Sequence, residues 1–199
     1  MNRFAILIAL TAFVSTAQAA PETYVIDNSQ TVANFSFSYL GMANKTHRFD
    51  RTSGRVVFDP VSKTGSAEIS IDAASINTGV AMFNNQMQST GFFDAANHPV
   101  ITFRSSKMAL QGDQMNMVGE LTVKGITRQV TLNVSNFQCA PHPELKIDAC
   151  GANATVTIKR SDFNMGKYAM LASNDVTLSL TIGAVKEQPA IRLASRDIR

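Results

Sequence analysis

Tryptophan is absent from this chain and tyrosine occurs only three times. Membrane-spanning β-barrels carry aromatic girdles at both interfaces, and these residues, with a charged C-terminus, do not supply them. The N-terminal apolar run, Phe4–Val14, has 11 residues, too few to cross a bilayer as a helix. No basic cluster accompanies the formal net charge of +3, so nothing points to nucleic acid as a partner. The three histidines, His47, His98 and His142, lie far apart without metal-ligand spacing. No G-x-S-x-G elbow, phosphate loop or paired-histidine helix motif occurs. The chain therefore shows no convergent reactive set, no resident cofactor and no metal site, and it reads as a non-enzyme. His98, before Pro99 at a strand entry, reads as a turn residue. Internal repeats and low-complexity segments are also absent.

What is present begins with an export signal. Arg3 supplies a positive charge, Phe4–Val14 the apolar stretch, and Ala17-Gln18-Ala19 a small-residue cleavage site. Residues 1–19 are read as a signal peptide, leaving 180 residues (199 less 19), one ordinary domain. In an exported chain the two cysteines, Cys139 and Cys150, are expected to pair. The C-x-x-C spacing of redox catalysis is missing, and zinc would need more ligands than these and His142.

The most informative stretch is 115–137, two alternating runs folded about Lys124-Gly125. Gly125 tolerates positive φ, so Val123 and Ile126 can face each other across a two-residue turn. Met115, Met117, Gly119, Leu121 and Val123 then share a face with Ile126, Val130, Leu132 and Val134, while Asn116, Glu120, Thr122, Thr127, Gln129 and Thr131 take the other. Val118 falls on the polar face and Arg128 on the apolar one. Similar alternation runs through 33–39, 54–58, 67–72, 101–103, 152–158 and 176–182. Several strands with turn signals between them predict an all-β fold, here an antiparallel β-barrel of about eight strands with one or two short helices, apolar inside. Val80–Ser89 reads at helical spacing, with Phe83 and Met87 on one face and Met82 beside them. Ser161–Ala172 reads as a second short helix or a structured loop. The barrel is expected to span 20–185, and 186–199 to form a flexible tail.

Four blocks, in order and in register, resemble the YceI-like family. They are Gly119–Val130 (GELTVKGITRQV), Ile71–Thr78 (IDAASINT), Phe92-Phe93-Asp94 followed by His98–Phe103, and Lys159–Met165 (KRSDFNM). The match covers roughly residues 23–184. It implies a lipocalin-like, often exported barrel that sequesters a polyisoprenoid, quinone or other long-chain amphiphile, without enzyme activity. This chain departs from the family pattern at Gln30, Thr31 and Tyr39, and in Phe83–Ser89, where the family's charges give way to amides, phenyl and thioether. Phosphate is usually held by Arg, Lys or backbone N–H groups, so a neutral amphiphile fits that helix better than a pyrophosphate.

The candidate ligand contacts are Phe35, Phe37, Tyr39, Met82, Phe83, Met87, Phe92, Met115, Met117, Leu121 and Arg128. For the apolar members, plain core packing is the competing reading. Arg128, inward by parity beside a turn, is tenable as a rim cation reaching water or as a contact for a ligand's polar head. Val80–Ser89 is expected to lid one end. The expected protein is a periplasmic lipid carrier, not an integral membrane protein, with a homodimer left open. The alternative is a ligandless barrel acting as an interaction or stress-response module, with the tail as a contact.

Overall fold

A computed structural model describes residues 20–111 and 114–188. The expected signal at 1–19 and the part of the expected tail beyond 188 lie outside the described residues. The strands are β1 Glu22–Ile26, β2 Val32–Tyr39, β3 Ala43–Phe49, β4 Thr52–Asp59, β5 Thr64–Asp72, β6 Ile76–Asn77, β7 Val100–Gln111, β8 Gln114–Val123, β9 Ile126–Pro141, β10 Asp148–Lys159 and β11 Asp175–Lys186. All ladders are antiparallel, and β1 pairs with β11 to close the sheet.

These strands make eight staves, because three of the staves are interrupted. β1 and β2 are halves of one stave, both paired with β11; β3 and β4 are halves of the next; β5 and β6 of the third. The breaks have a local cause. Asp27 and Asp72 each accept a hydrogen bond from the backbone two residues on, at Ser29 (2.9 Å) and Ala74 (2.8 Å), which folds 28–30 and 73–75 into single 3-10 turns. The breaks are stitched to one another: Thr52 N–H donates to Asn28 Oδ1 (2.6 Å), Arg51 N–H to Ser75 Oγ (3.1 Å), and Arg51 pairs with Asp72 (2.7 Å).

The β8–β9 hairpin takes the expected register, with Val123 opposite Ile126. Lys124 (φ 51°) and Gly125 (φ 73°) both adopt the left-handed conformation that a tight hairpin turn demands. Met115, Met117, Leu121, Val123, Leu132 and Val134 are buried and Val118 is exposed. Gly119 on the same inward face has a separate reason: a Cβ there would stand 2.6 Å from the Phe103 ring.

The helix α1, Ala81–Gln88, forms inside the expected segment. Its entry is fixed by Asn84 Oδ1, which accepts from Thr78 N–H (2.8 Å) and Thr78 Oγ1 (2.7 Å). The second expected helix is one 3-10 turn, Arg160–Phe163, followed by a structured loop to β11. Cys139 and Cys150 face each other across β9 and β10 and form a disulfide. One boundary moves. Lys186 remains in β11, with Nζ 2.6 Å from Glu22 and 3.4 Å from Asp148, and Glu187 pairs with Arg55 (2.7 Å). The charges that ended the apolar alternation find partners on neighbouring strands, and β11 runs to Lys186.

Along its axis the interior has two halves. Near the turns joining β4 to β5 and β9 to β10 it is packed solid: Met108, Met115 and Met117 are buried, and the Phe58 and Phe137 rings meet edge-to-face at 4.9 Å. Near the β2–β3 and β8–β9 turns it is hollow.

Candidate ligand-binding cavity

The hollow half contains a cavity of about 670 Å³, within the range of sites that hold one small ligand. Its wall follows from the two-residue period: alternate residues of each strand turn inward, so Ile69 and Ile71, Ile101 and Phe103, Val156 and Ile158 enter as pairs. One side is aromatic. Phe35, Phe49 and Phe93 lie mutually 5.2–5.6 Å apart, two of the three contacts edge-to-face, and the His47 ring packs on Phe35 (5.6 Å) and Phe37 (5.8 Å). Such ring contacts contribute beyond the area they bury.

Two segments cover the opening. From one side come Val80 and α1, with Phe83 and Met87 facing the cavity, and the loop carrying Phe92 and Phe93. From the other comes the 165–172 loop with Met165, Tyr168 and Leu171. They touch where Phe92 stacks on Tyr168 (5.9 Å between centroids), and Lys124 Nζ donates to the carbonyls of Thr90 (2.6 Å) and Asn164 (3.1 Å), tying both to the hairpin tip. Tyr39, Phe83 and Tyr168 line the cavity yet remain exposed, so they mark its mouth.

The second cover is organised by a buried charge. Arg160 is 7% exposed. Its Nε donates to Ser173 O (2.8 Å), Nη2 to Ala172 O (2.9 Å), and Nη1 to Lys167 O (2.6 Å) and Met165 O. Four loop carbonyls thus satisfy a guanidinium that, among the described residues, has no carboxylate partner. Burial lowers its pKa from the ordinary guanidinium value, yet arginine starts high enough to stay charged. His47 is also shifted down, first by burial and then by Lys45, so it sits in the wall as a neutral imidazole.

Seven of the eleven sequence-derived candidates line this cavity: Phe35, Phe37, Tyr39, Phe83, Met87, Phe92 and Leu121. Four do not. Met82 lies on the outer side of α1, 68% exposed, since an eight-residue helix lying over a mouth buries a single stripe. Met115 and Met117 point inward as parity requires but at the filled level. Arg128 is inward by parity, opposite Leu121, yet exposed, with Nη1 donating to Thr127 O (3.1 Å). The β9–β10 ladder begins only at Asn133–Thr155, so β9 is free of that neighbour at Arg128 and the side chain turns to solvent.

Sequence reading missed Lys45, His47 and Phe49 because β3 went unrecognised. Its inward positions read Ala, Lys, His, Phe and show no apolar stripe. It also missed Arg160 and Lys167, whose role depends on backbone carbonyls and a loop path. The remaining histidines lie elsewhere: His98 beside Asp94 (3.9 Å) under the Gly125 turn, and His142 capping its own turn by accepting from Glu144 and Leu145 N–H (both 3.2 Å). Among the described residues no group of three or more His, Cys, Asp or Glu is placed to hold a metal ion, and no helix is long and apolar enough to cross a membrane.

Comparison with known proteins agrees with this architecture. The chain is 27% identical over 177 residues to the protein named YceI of Escherichia coli O157:H7, covering 87% of this chain and 92% of the relative. The crystal structure of Burkholderia cenocepacia BcnA superposes with a TM-score of 0.70 at 29% identity, over 79% of this chain and 98% of that one. A polyisoprenoid-binding domain from Saccharophagus degradans shares the fold at a TM-score of 0.63 and 22% identity, over 82% and 98% of the two chains. The YceI-like domain model matches residues 24–184, nearly the whole barrel, and this chain belongs to the YceI-like family.

Proposed function

We propose that this protein carries one long-chain amphiphile, a polyisoprenoid, quinone or similar lipid, in the hollow half of its barrel, and that it acts by binding rather than catalysis. One observation carries the reading: about 670 Å³ of space, walled mainly by aliphatic and aromatic side chains, inside a barrel whose other half is filled by buried side chains such as Met108, Met115 and Met117. Native interiors hold few voids larger than a water molecule, so a cavity of this size bears on function. Burying apolar area is worth about 25 cal/mol per Å² before the costs of ordering, which lets a chain-like ligand bind without a dedicated ion pair. The polyisoprenoid-binding domain of Saccharophagus degradans supports the ligand class. Export through cleavage after residue 19 is part of the same proposal.

Native mass spectrometry of protein purified without detergent tests it. A co-purifying lipid, or uptake of one on add-back, is the expected result; a ligand-free spectrum that stays ligand-free with added lipid overturns it. Replacing Phe83 and Met87 together by glutamine should weaken retention about tenfold or more while costing under about 1 kcal/mol of stability, because α1 contributes no ladder and neither side chain is fully buried.

A second reading has an observation of its own. Met42 (79% exposed) and Met170 (93% exposed) project from the turns around the mouth with Met82, and adaptable methionines suit a docking surface. A partner lost on replacing these three by serine, with lipid uptake intact, favours an interaction module.

A further inference from the structure

The outer rim of the mouth is apolar in a way the rest of the surface is not. Fourteen large apolar side chains are exposed among the described residues. Nine of them stand around the opening, three each on the β2–β3 turn, the entry to α1 and the 165–172 loop. The other five are single residues on separate strands and loops, as protein surfaces ordinarily show. The three rim segments are neighbours: Leu40 N–H donates to Leu171 O (2.8 Å), and Phe92, in the loop after α1, stacks on Tyr168.

The β2–β3 tip shows the anomaly most plainly. Leu40 (φ 54°) and Gly41 (φ 67°) both take the left-handed conformation, as Lys124 and Gly125 do at the other hairpin tip. Such positions favour Asn, Asp or Gly, yet here a leucine stands in one, with Met42 beside it. Neither of these, nor Met82 or Met170, lines the cavity or joins the core. Contiguous apolar surface left in water marks a site of contact with a protein or a membrane.

Charge separates the two. Residues 39–46, 79–92 and 164–174, which build the rim, contain Lys45 and Lys167 and no Asp or Glu. Among the described residues neither lysine has a carboxylate partner, whereas Arg48, Arg51, Arg55, Arg104 and Lys186 each stand 2.6–2.8 Å from one. The turns at the filled end differ: Asp59 accompanies Lys63, and Glu144 and Asp148 accompany Lys146. An apolar face with basic and no acidic side chains is the composition that settles on an anionic bilayer surface. Its apolar groups also project from three separate segments around a hole. A fluid surface closes around such prongs, while a folded partner would need a matching pocket for each.

We propose that the rim is a membrane-docking face. Leu40, Met42, Met82 and Met170 enter the boundary between head groups and acyl chains, and the two lysines reach the anionic surface beside them. Set down in this way, the cavity opens onto acyl chains, and a lipid passes between bilayer and barrel without crossing water. That use rests on the lipid-carrying reading; the docking does not.

Titration with phosphatidylcholine vesicles, with and without about one-third phosphatidylglycerol, tests it. The protein should bind the anionic vesicles about tenfold or more tightly than the neutral ones at low salt, with the difference shrinking as salt rises. Met42→Ser/Met82→Ser/Met170→Ser, checked for unchanged melting temperature, should weaken vesicle binding about tenfold or more. The same variant should take up a fluorescent long-chain alcohol from cyclodextrin within about twofold of the parent. Val61→Ser/Leu145→Ser, at the filled end, should bind vesicles as the parent does. The contrast is read within one chain, so adhesion by either chain end cancels. Equal affinity for the two vesicles overturns the anionic surface. A parent that binds neither vesicle, or rim and filled-end variants that bind alike, overturns docking while uptake from cyclodextrin keeps lipid carriage standing. Vesicle binding without any uptake overturns carriage and leaves docking in place.

Discussion

The same eight staves build two unlike interiors. In the filled half, Met108, Met115 and Met117 and the Phe58–Phe137 pair close the space between opposite walls; unbranched methionine bends to fill irregular gaps. In the hollow half the inward residues are mostly branched aliphatics and rings fixed against one another, such as Phe35, Phe49 and Phe93. Those walls are well packed laterally and do not meet across the axis. A period of two states which residues face inward. Whether inward residues touch an opposite wall is set by side-chain reach at each level.

Truncation at the two levels should break the comparison if it is wrong. Met115→Ala, at a site only 2% exposed, should cost about 3 kcal/mol in chemical unfolding, as a cavity-forming core substitution does. Val130→Ala, in a wall that already faces space, should cost about 1 kcal/mol. Equal costs would mean that the halves are not packed differently. Next in size is the disulfide, which lies on the filled half. Its 11-residue separation corresponds to about 2–3 kcal/mol of loop-closure stabilisation, so Cys139→Ser/Cys150→Ser should lower the melting temperature and leave lipid affinity within about twofold. A large loss of affinity would show that the two ends are coupled.

A smaller effect separates the halves by pH. His47 titrates below its ordinary value of 6.5, chiefly through burial. As pH falls below that value the unfolded chain takes up the proton first, so this contribution to stability is present above about pH 6.5 and fades toward the lower folded value. Melting temperature between about pH 7 and 5 should therefore decline less for His47→Phe than for the parent; identical slopes would place His47 in water. The smallest effect is expected at Arg128. Arg128→Met should change stability by under about 0.5 kcal/mol and leave binding of both long-chain carboxylate and long-chain alcohol probes unaltered. A selective loss for carboxylate would return Arg128 to the mouth.

Much of the barrel was legible because most of its strands have one dry and one wet face. The 115–134 hairpin and a helix within 80–89 could be read from local pattern alone, and the cysteine pair from the cysteine count together with the expected export. β3 could not, since a strand whose inward row ends in a mouth carries Lys45 and His47 where the pattern expects apolar residues. The site was legible in kind and blurred in level. Parity placed Met115 and Met117 inward without saying that they stop short of the cavity, and it could not show that β9 leaves β10 near Arg128. Arg160 was hidden for a different reason: its partners are carbonyl oxygens, which every residue has.

β1 enters and β11 leaves at the filled half, where Lys186 bridges Glu22 and Arg55 holds Glu187. Both ends of the barrel therefore stand at the pole opposite the mouth. A dye, fusion partner or solid support joined at either end leaves the opening unobstructed, and an immobilised protein can be loaded and emptied in place. An insertion into the 40–42 turn would do the reverse, since Leu40 N–H is bonded to Leu171 O (2.8 Å) on the cover itself.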